Sequence, residues 1–78
     1  GSEESEEVRK VVERIKKISR ELEEVVKELD RVSKEFDRHG ETDEIVREHE
    51  RIVEKLEEIV KKHTKIVEEL AEIVYKQQ

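Results

Sequence analysis

Apolar residues recur along the chain at alternating spacings of three and four positions, in two long stretches. The first stretch consists of Val8, Val11, Ile15, Ile18, Leu22, Val25, Leu29, Val32 and Phe36. This is the heptad pattern of an amphipathic helix, with apolar residues at positions a and d of the repeat abcdefg. The second stretch has isoleucine at each d position, namely Ile45, Ile52, Ile59, Ile66 and Ile73. The pattern therefore predicts two helices.

The segment RHGETDEI separates the two stretches. Gly40 suits the left-handed conformation that ends many helices, and Thr42 suits the N-cap of the next one. A loop this short places neighbouring helices antiparallel. We therefore predict an all-α helix-turn-helix hairpin as a single unit over residues 1–78, with helix one at about 3–38, a turn at about 39–42 and helix two at about 43–77.

Position e, which lies beside a on the helical wheel, also carries valine or serine. A two-helix seam needs only positions a and d, so a hairpin alone would leave the e column exposed as a long apolar patch. A second hairpin is expected to cover this patch. The predicted interface comprises Val12, Val26, Val46, Val53, Leu56, Val60, Val67, Leu70 and Val74.

The two helices carry nearly equal amounts of apolar surface. The stripe of helix one holds eleven Val, Ile, Leu or Phe residues, and that of helix two holds twelve. In a six-helix trimer of hairpins, the inner helix would be clearly richer in apolar residues than the outer one. The near equality favours a four-helix bundle built from two hairpins.

Four polar residues interrupt the stripe: Ser19 and Ser33 at position e, and His49 and His63 at position a. In the antiparallel hairpin, Ser33 falls level with His49, and Ser19 falls level with His63. Because a buried polar group without a hydrogen bond is costly, we expect each histidine to bond the serine of its layer and a group on the other chain. Such layers penalise wrong registers and partners. The alternative is that these residues are half-exposed at the edge of the stripe.

The histidines also predict a response to acid. A neutral imidazole that is buried in an assembly opposes protonation, so acid should loosen the assembly. His39, beside Gly40 at the end of helix one, is expected to be solvated and to have no such role.

Composition and charge argue against several classes of function. Charged residues make up 51% of the chain, there is no cysteine, and the formal net charge is −6, which disfavours nucleic acid and anionic membranes as partners. The apolar runs are too short for a membrane span, so we expect a soluble chain. Its location in a cell is not predicted, since no targeting signal is seen. The leading Gly1-Ser2 pair resembles a protease-cleavage remnant of a recombinant product.

No catalytic or cofactor-binding pattern is present in the sequence. The chain has no glycine-rich phosphate loop and no nucleophile, base and acid at a spacing that would assemble a catalytic site. The residues three positions before His49 and His63 are valines, so the Glu-x-x-His arrangement of helical metal sites is missing. We predict no enzymatic activity, no cofactor, no metal and no small-molecule substrate. Zinc held by symmetry-related histidines of an oligomer is the alternative.

The heptads, the turn HGETDE and the polar layers together resemble de novo designed helical hairpins. In that family, two helix-turn-helix chains form a heterodimeric four-helix bundle specified by buried hydrogen-bond networks. The resemblance covers the whole chain and rests on the alternation Val12, Ser19, Val26, Ser33 against His49, Leu56, His63, Leu70. It implies partner-specific association with another hairpin and no catalysis. A homodimeric bundle that responds to pH, and a natural coiled-coil spacer, are the alternatives.

Overall fold

The computed structural model of the chain describes the backbone of residues 2–77 and the side chains of residues 6–76. It consists of two α-helices, α1 (Ser2–His39) and α2 (Asp43–Gln77), which pack against each other along their length. The predicted all-α hairpin is thus confirmed, and both helices begin and end within one residue of the predicted positions. Gly1, the first residue of the predicted cleavage remnant, lies outside the described residues.

The turn between the helices follows the predicted chemistry. Gly40 has a φ of 73°, and its amide donates a 2.8 Å hydrogen bond to the Phe36 carbonyl, which closes the last turn of α1. Thr42 caps α2, because its Oγ1 accepts a 3.2 Å hydrogen bond from the Ile45 amide. The glycine satisfies a free carbonyl of α1, and the threonine satisfies a free amide of α2.

Among the residues with described side chains, only d positions are buried. Their exposed fractions range from 1% at Ile66 to 9% at Ile73. The core consists of Val11, Ile18, Val25, Val32, Ile45, Ile52, Ile59, Ile66 and Ile73. Ile15, Leu56 and Leu70, all at position a, pack partly against it. A narrow seam of this kind gives a rod of about 57 × 15 × 13 Å rather than a globule.

The ion pairs within each helix differ from the simplest heptad expectation. Glutamate and lysine residues recur at i,i+4 spacing in the sequence, for example Glu58 and Lys62. In the structure, Glu58 pairs with Lys61 instead, and Lys62 reaches across the hairpin to Glu21. Exposed pairs differ in free energy by only a few tenths of a kcal/mol, so an interhelical partner readily displaces an intrahelical one.

Candidate protein-binding face

The buried d column has two flanks, and they differ in character. On one side lie the g positions of both helices, which are charged. On the other side lie positions a and e, which are mostly apolar. We call this second side the open face; its exposed members are Val8, Val12, Ser19, Leu22, Val26, Leu29, Ser33 and Phe36 on α1, and Val46, His49, Val53, Val60, His63, Val67 and Val74 on α2.

The apolar side chains of the open face are strongly exposed in the hairpin. Val26 and Val60, near the middle of the rod, are each 62% exposed, and Phe36 near the turn is 49% exposed. All seven valines of the predicted interface are exposed, whereas Leu56 and Leu70 are half-buried against the core. The hairpin by itself therefore does not cover the apolar stripe, as the heptad pattern predicts.

Four apolar residues of the open face were missing from the predicted interface. Val8, Leu22, Leu29 and Phe36 occupy position a of α1 and are each at least 36% exposed. Their heptad position suggested burial in the hairpin seam. In the structure, the seam is centred on position d, so position a of α1 turns towards the open face. The signal available in the sequence was the third apolar column, since it shifts the centre of the stripe away from d.

The turn end of the open face contains a groove of about 600 Å³. Leu29, Phe36 and Val46 supply apolar walls, and both Ser33 and His49 line it. The structure thus brings together the serine and histidine that were predicted to share a layer. Their position in an open groove leaves them accessible to another chain.

The second predicted layer, Ser19 with His63, is also exposed. The register of the hairpin supports the alignment of this layer, because the interhelical ion pairs Arg14 with Glu69 and Glu21 with Lys62 lie on both sides of it. In the part of the chain with described side chains, no hydrogen bond joins a serine to a histidine. The predicted network remains a prediction about an assembled state, and the same holds for its response to acid. His39 is exposed, as predicted.

The opposite flank is bridged by charged side chains. Three g-position pairs bridge the helices: Arg14 with Glu69, Glu21 with Lys62 at 3.3 Å, and Glu28 with Lys55 at 2.9 Å. The fourth g level holds Glu35 and Glu48, and Glu48 Oε2 is buried without a hydrogen-bond partner. The hairpin thus satisfies most of this flank with its own side chains.

The same described residues show neither of two other kinds of site. They contain no group of three or more histidine, cysteine or acidic side chains placed to hold a metal ion. Neither described helix includes a stretch apolar enough to cross a membrane.

Comparisons with known proteins add no relative to this description. No family model matches the chain, and no curated protein or solved structure matches it with significance.

Proposed function

We propose that the chain is a partner-specific association module, one half of a heterodimeric four-helix bundle of designed type, which binds another helical hairpin through its open face. The observation that carries this proposal is the uninterrupted column of exposed valines from Val46 to Val74 on α2. On α1, the same face carries the exposed residues Val12, Leu22, Val26 and Leu29. Monomeric proteins rarely expose a contiguous apolar patch of this length.

The dimensions of the face suit a hairpin. A surface 57 Å long and 15 Å wide offers roughly 850 Å², close to the area of about 800 Å² that each partner buries in a standard interface. A second pair of antiparallel helices has the same length and width, and its own a and e side chains would fill the spaces between these valines. A single helix would cover only part of the width.

The polar layers support specificity within this proposal. The layer of Ser33 and His49 and the layer of Ser19 and His63 present hydroxyl and imidazole groups at two heights of an otherwise apolar face. A partner with complementary polar groups at these heights satisfies them. A partner with only apolar groups there leaves them buried and without hydrogen bonds, at a cost of about 1–3 kcal/mol each.

Size-exclusion chromatography with light scattering tests the association, with the wild-type chain compared with the double variant Val26→Gln/Val60→Gln. Both valines are 62% exposed, so the variant keeps the hairpin and its helical circular dichroism. We expect it to lower the association of the chain about tenfold or more, with itself at high concentration or with a complementary hairpin.

The matched control is Glu24→Gln/Lys27→Gln. It introduces the same two glutamines on the solvent side of α1, removes one exposed ion pair and leaves the net charge unchanged. Association equal to wild type is expected. If the valine variant associates as strongly as this control, or if the wild-type chain is a monomer under every condition, the open face is not a binding surface.

A further inference from the structure

The border of the open face carries an uneven distribution of charge. Position b lies beside position e on the helical wheel, so the b residues form the two outer edges of the face, which we call the rim. In the half nearer the turn, the rim is entirely acidic: Glu23, Asp30 and Asp37 on α1, and Asp43, Glu50 and Glu57 on α2. In the half nearer the termini, it is basic or neutral: Arg9 and Lys16 on α1, and Thr64 and Ala71 on α2.

The acidic part of the rim is exposed and largely unneutralised. All six carboxylates are on exposed residues. Among residues with described side chains, only Asp30 of the six has an ion pair, to Lys34 at 3.1 Å. Any hairpin that covers the open face therefore meets five unpaired carboxylates along its edges. Their charge discriminates between different partners.

A second copy of the chain with its turn at the same end meets these carboxylates with its own. A twofold axis along the bundle places α1 of one copy beside α2 of the other and allows no sliding. Asp30 then comes near Glu50 of the second copy, and Glu23 comes near Glu57. The serine and histidine layers coincide in this arrangement, but like charges face each other along both edges.

In a second copy with its turn at the opposite end, the rim charges become complementary but the polar layers no longer coincide. The copies now place α1 beside α1, and at full overlap Arg9 and Lys16 oppose acidic residues of the rim. However, His49 now lies opposite Leu70 of the second copy, and His63 opposite its Leu56. Each imidazole is then covered by an aliphatic side chain and loses its prospective hydrogen-bond partner.

Sliding the copies by one heptad restores the layers but uncovers the ends. His49 then meets His63 of the second copy, and Ser19 meets its Ser33. Val8 and Val74 of each copy extend past the overlap, and Asp30 lies opposite Glu23 of the second copy. No twofold arrangement of identical chains thus combines a covered face, coincident polar layers and a complementary rim.

Building on the function proposed above, we propose that the occupant of the open face is a different helical hairpin, whose rim carries lysine or arginine opposite the acidic half. Such a partner neutralises the carboxylates, covers the full length of the face and places its polar groups at the two serine and histidine layers. The acidic rim in turn disfavours self-association.

A charge-reversed version of this same chain serves as the probe. The variant Glu23→Lys/Asp30→Lys/Glu50→Lys/Glu57→Lys, here called the basic-rim chain, retains the open face and both polar layers. Each reversal adds two charges, so the formal net charge changes from −6 to +2. The control variant Glu24→Lys/Glu54→Lys/Glu68→Lys/Glu72→Lys has the same net charge, but its lysines lie on exposed residues away from the rim. Each variant removes one ion pair of the structure.

Sedimentation equilibrium of each chain alone and of each 1:1 mixture measures the dissociation constants. We expect the wild-type and basic-rim chains to form a 1:1 dimer about tenfold or more tighter than the wild-type homodimer, and tighter than the mixture with the control chain. Raising the salt from about 50 mM to about 500 mM should weaken this mixed dimer and strengthen wild-type self-association, because salt screens attraction in one and repulsion in the other.

Two results overturn the inference, and they differ from failure of the proposed function. A wild-type homodimer as tight as the mixed dimer at low salt identifies a second copy as the occupant. Equal affinity of the basic-rim and control chains for wild type shows that net charge, rather than the rim, drives the association. In both cases the open face still binds a hairpin, whereas monomers in every mixture count against the proposed function itself.

Discussion

Val25 and Val26 are adjacent residues of the same type in the same helix, yet one is 5% exposed and the other 62%. The same contrast separates the nine apolar residues of the d column, at 9% or less, from the valines of the e column, at 37% or more. Residue type is therefore not what decides burial here. The direction in which each side chain leaves the helix decides it, because a two-helix seam is only wide enough for one full column.

The two flanks of the d column extend this comparison. On the g flank, the chain supplies its own partners. Lys55, for example, donates hydrogen bonds to both carboxylate oxygens of Glu28, at 2.9 and 3.0 Å. On the flank formed by positions a and e, the exposed valines and the exposed leucines Leu22 and Leu29 have no counterpart within the hairpin. A chain that pairs most of one flank and leaves the other apolar fits the association proposed above.

The largest effect is expected from truncating one residue of each column at the same height. Ile66, the most buried residue at 1% exposure, adjoins Val67, which is 50% exposed. Ile66→Ala should lower the free energy of unfolding of the hairpin by about 2–5 kcal/mol, because it leaves a cavity in the seam. Val67→Ala should change it by less than about 1 kcal/mol, since alanine also favours the helix.

Urea unfolding followed by circular dichroism measures both variants, at a dilution at which light scattering shows a monomer. Similar losses for the two variants would contradict the separation of the columns. The effect on association should differ from the effect on stability. Val67→Ala is expected to weaken binding through the open face while leaving the hairpin intact.

The heptad spacing accounts for most of what the sequence could predict. The period of the apolar residues placed Ile45 through Ile73 in the seam, and Gly40 and Thr42 located the turn, because each of these signals acts locally. That two helices cannot bury the apolar residues of the e column also follows from geometry alone. These features depend on spacing within one helix or on the chemistry of one turn.

Other features depend on choices between nearly equal alternatives. Lys62 pairs with Glu21 rather than with Glu58, and no periodicity distinguishes those partners. Leu22, Leu29 and Phe36 face outward because the seam is centred on d, which the alternation of a and d does not specify unless the third apolar column is also considered. The serine and histidine layers need a second chain for their hydrogen bonds, so a single hairpin does not test them.

An intermediate effect is expected at the turn that connects α1 and α2. Gly40 has a φ of 73°, and a Cβ built there meets no atom within 4 Å. Gly40→Ala should therefore cost about 1 kcal/mol of unfolding free energy through backbone strain alone, without a steric clash. Gly40→Asn should cost less, because asparagine tolerates the left-handed region better than alanine does. Equal stability of all three chains in urea would show that the turn can adopt another conformation without affecting the seam.

The smallest effect is expected on the charged flank, where a double-mutant cycle measures the coupling between Glu28 and Lys55. Glu28→Gln, Lys55→Gln and the double variant should give a coupling of about 0.2–1 kcal/mol, reduced by salt, because both side chains remain partly exposed. The same cycle on Asp30 and Lys34, an i,i+4 pair at 3.1 Å with both side chains more exposed, is the matched control. We expect the cross-helix coupling to be the larger, because the Glu28 carboxylate is the least solvated of the four groups. A coupling of zero at low salt would mean that the ion pairs of the g flank do not stabilise the hairpin. The apolar seam would then hold the hairpin together unaided, and the difference between the two flanks would lie in solubility rather than in stability.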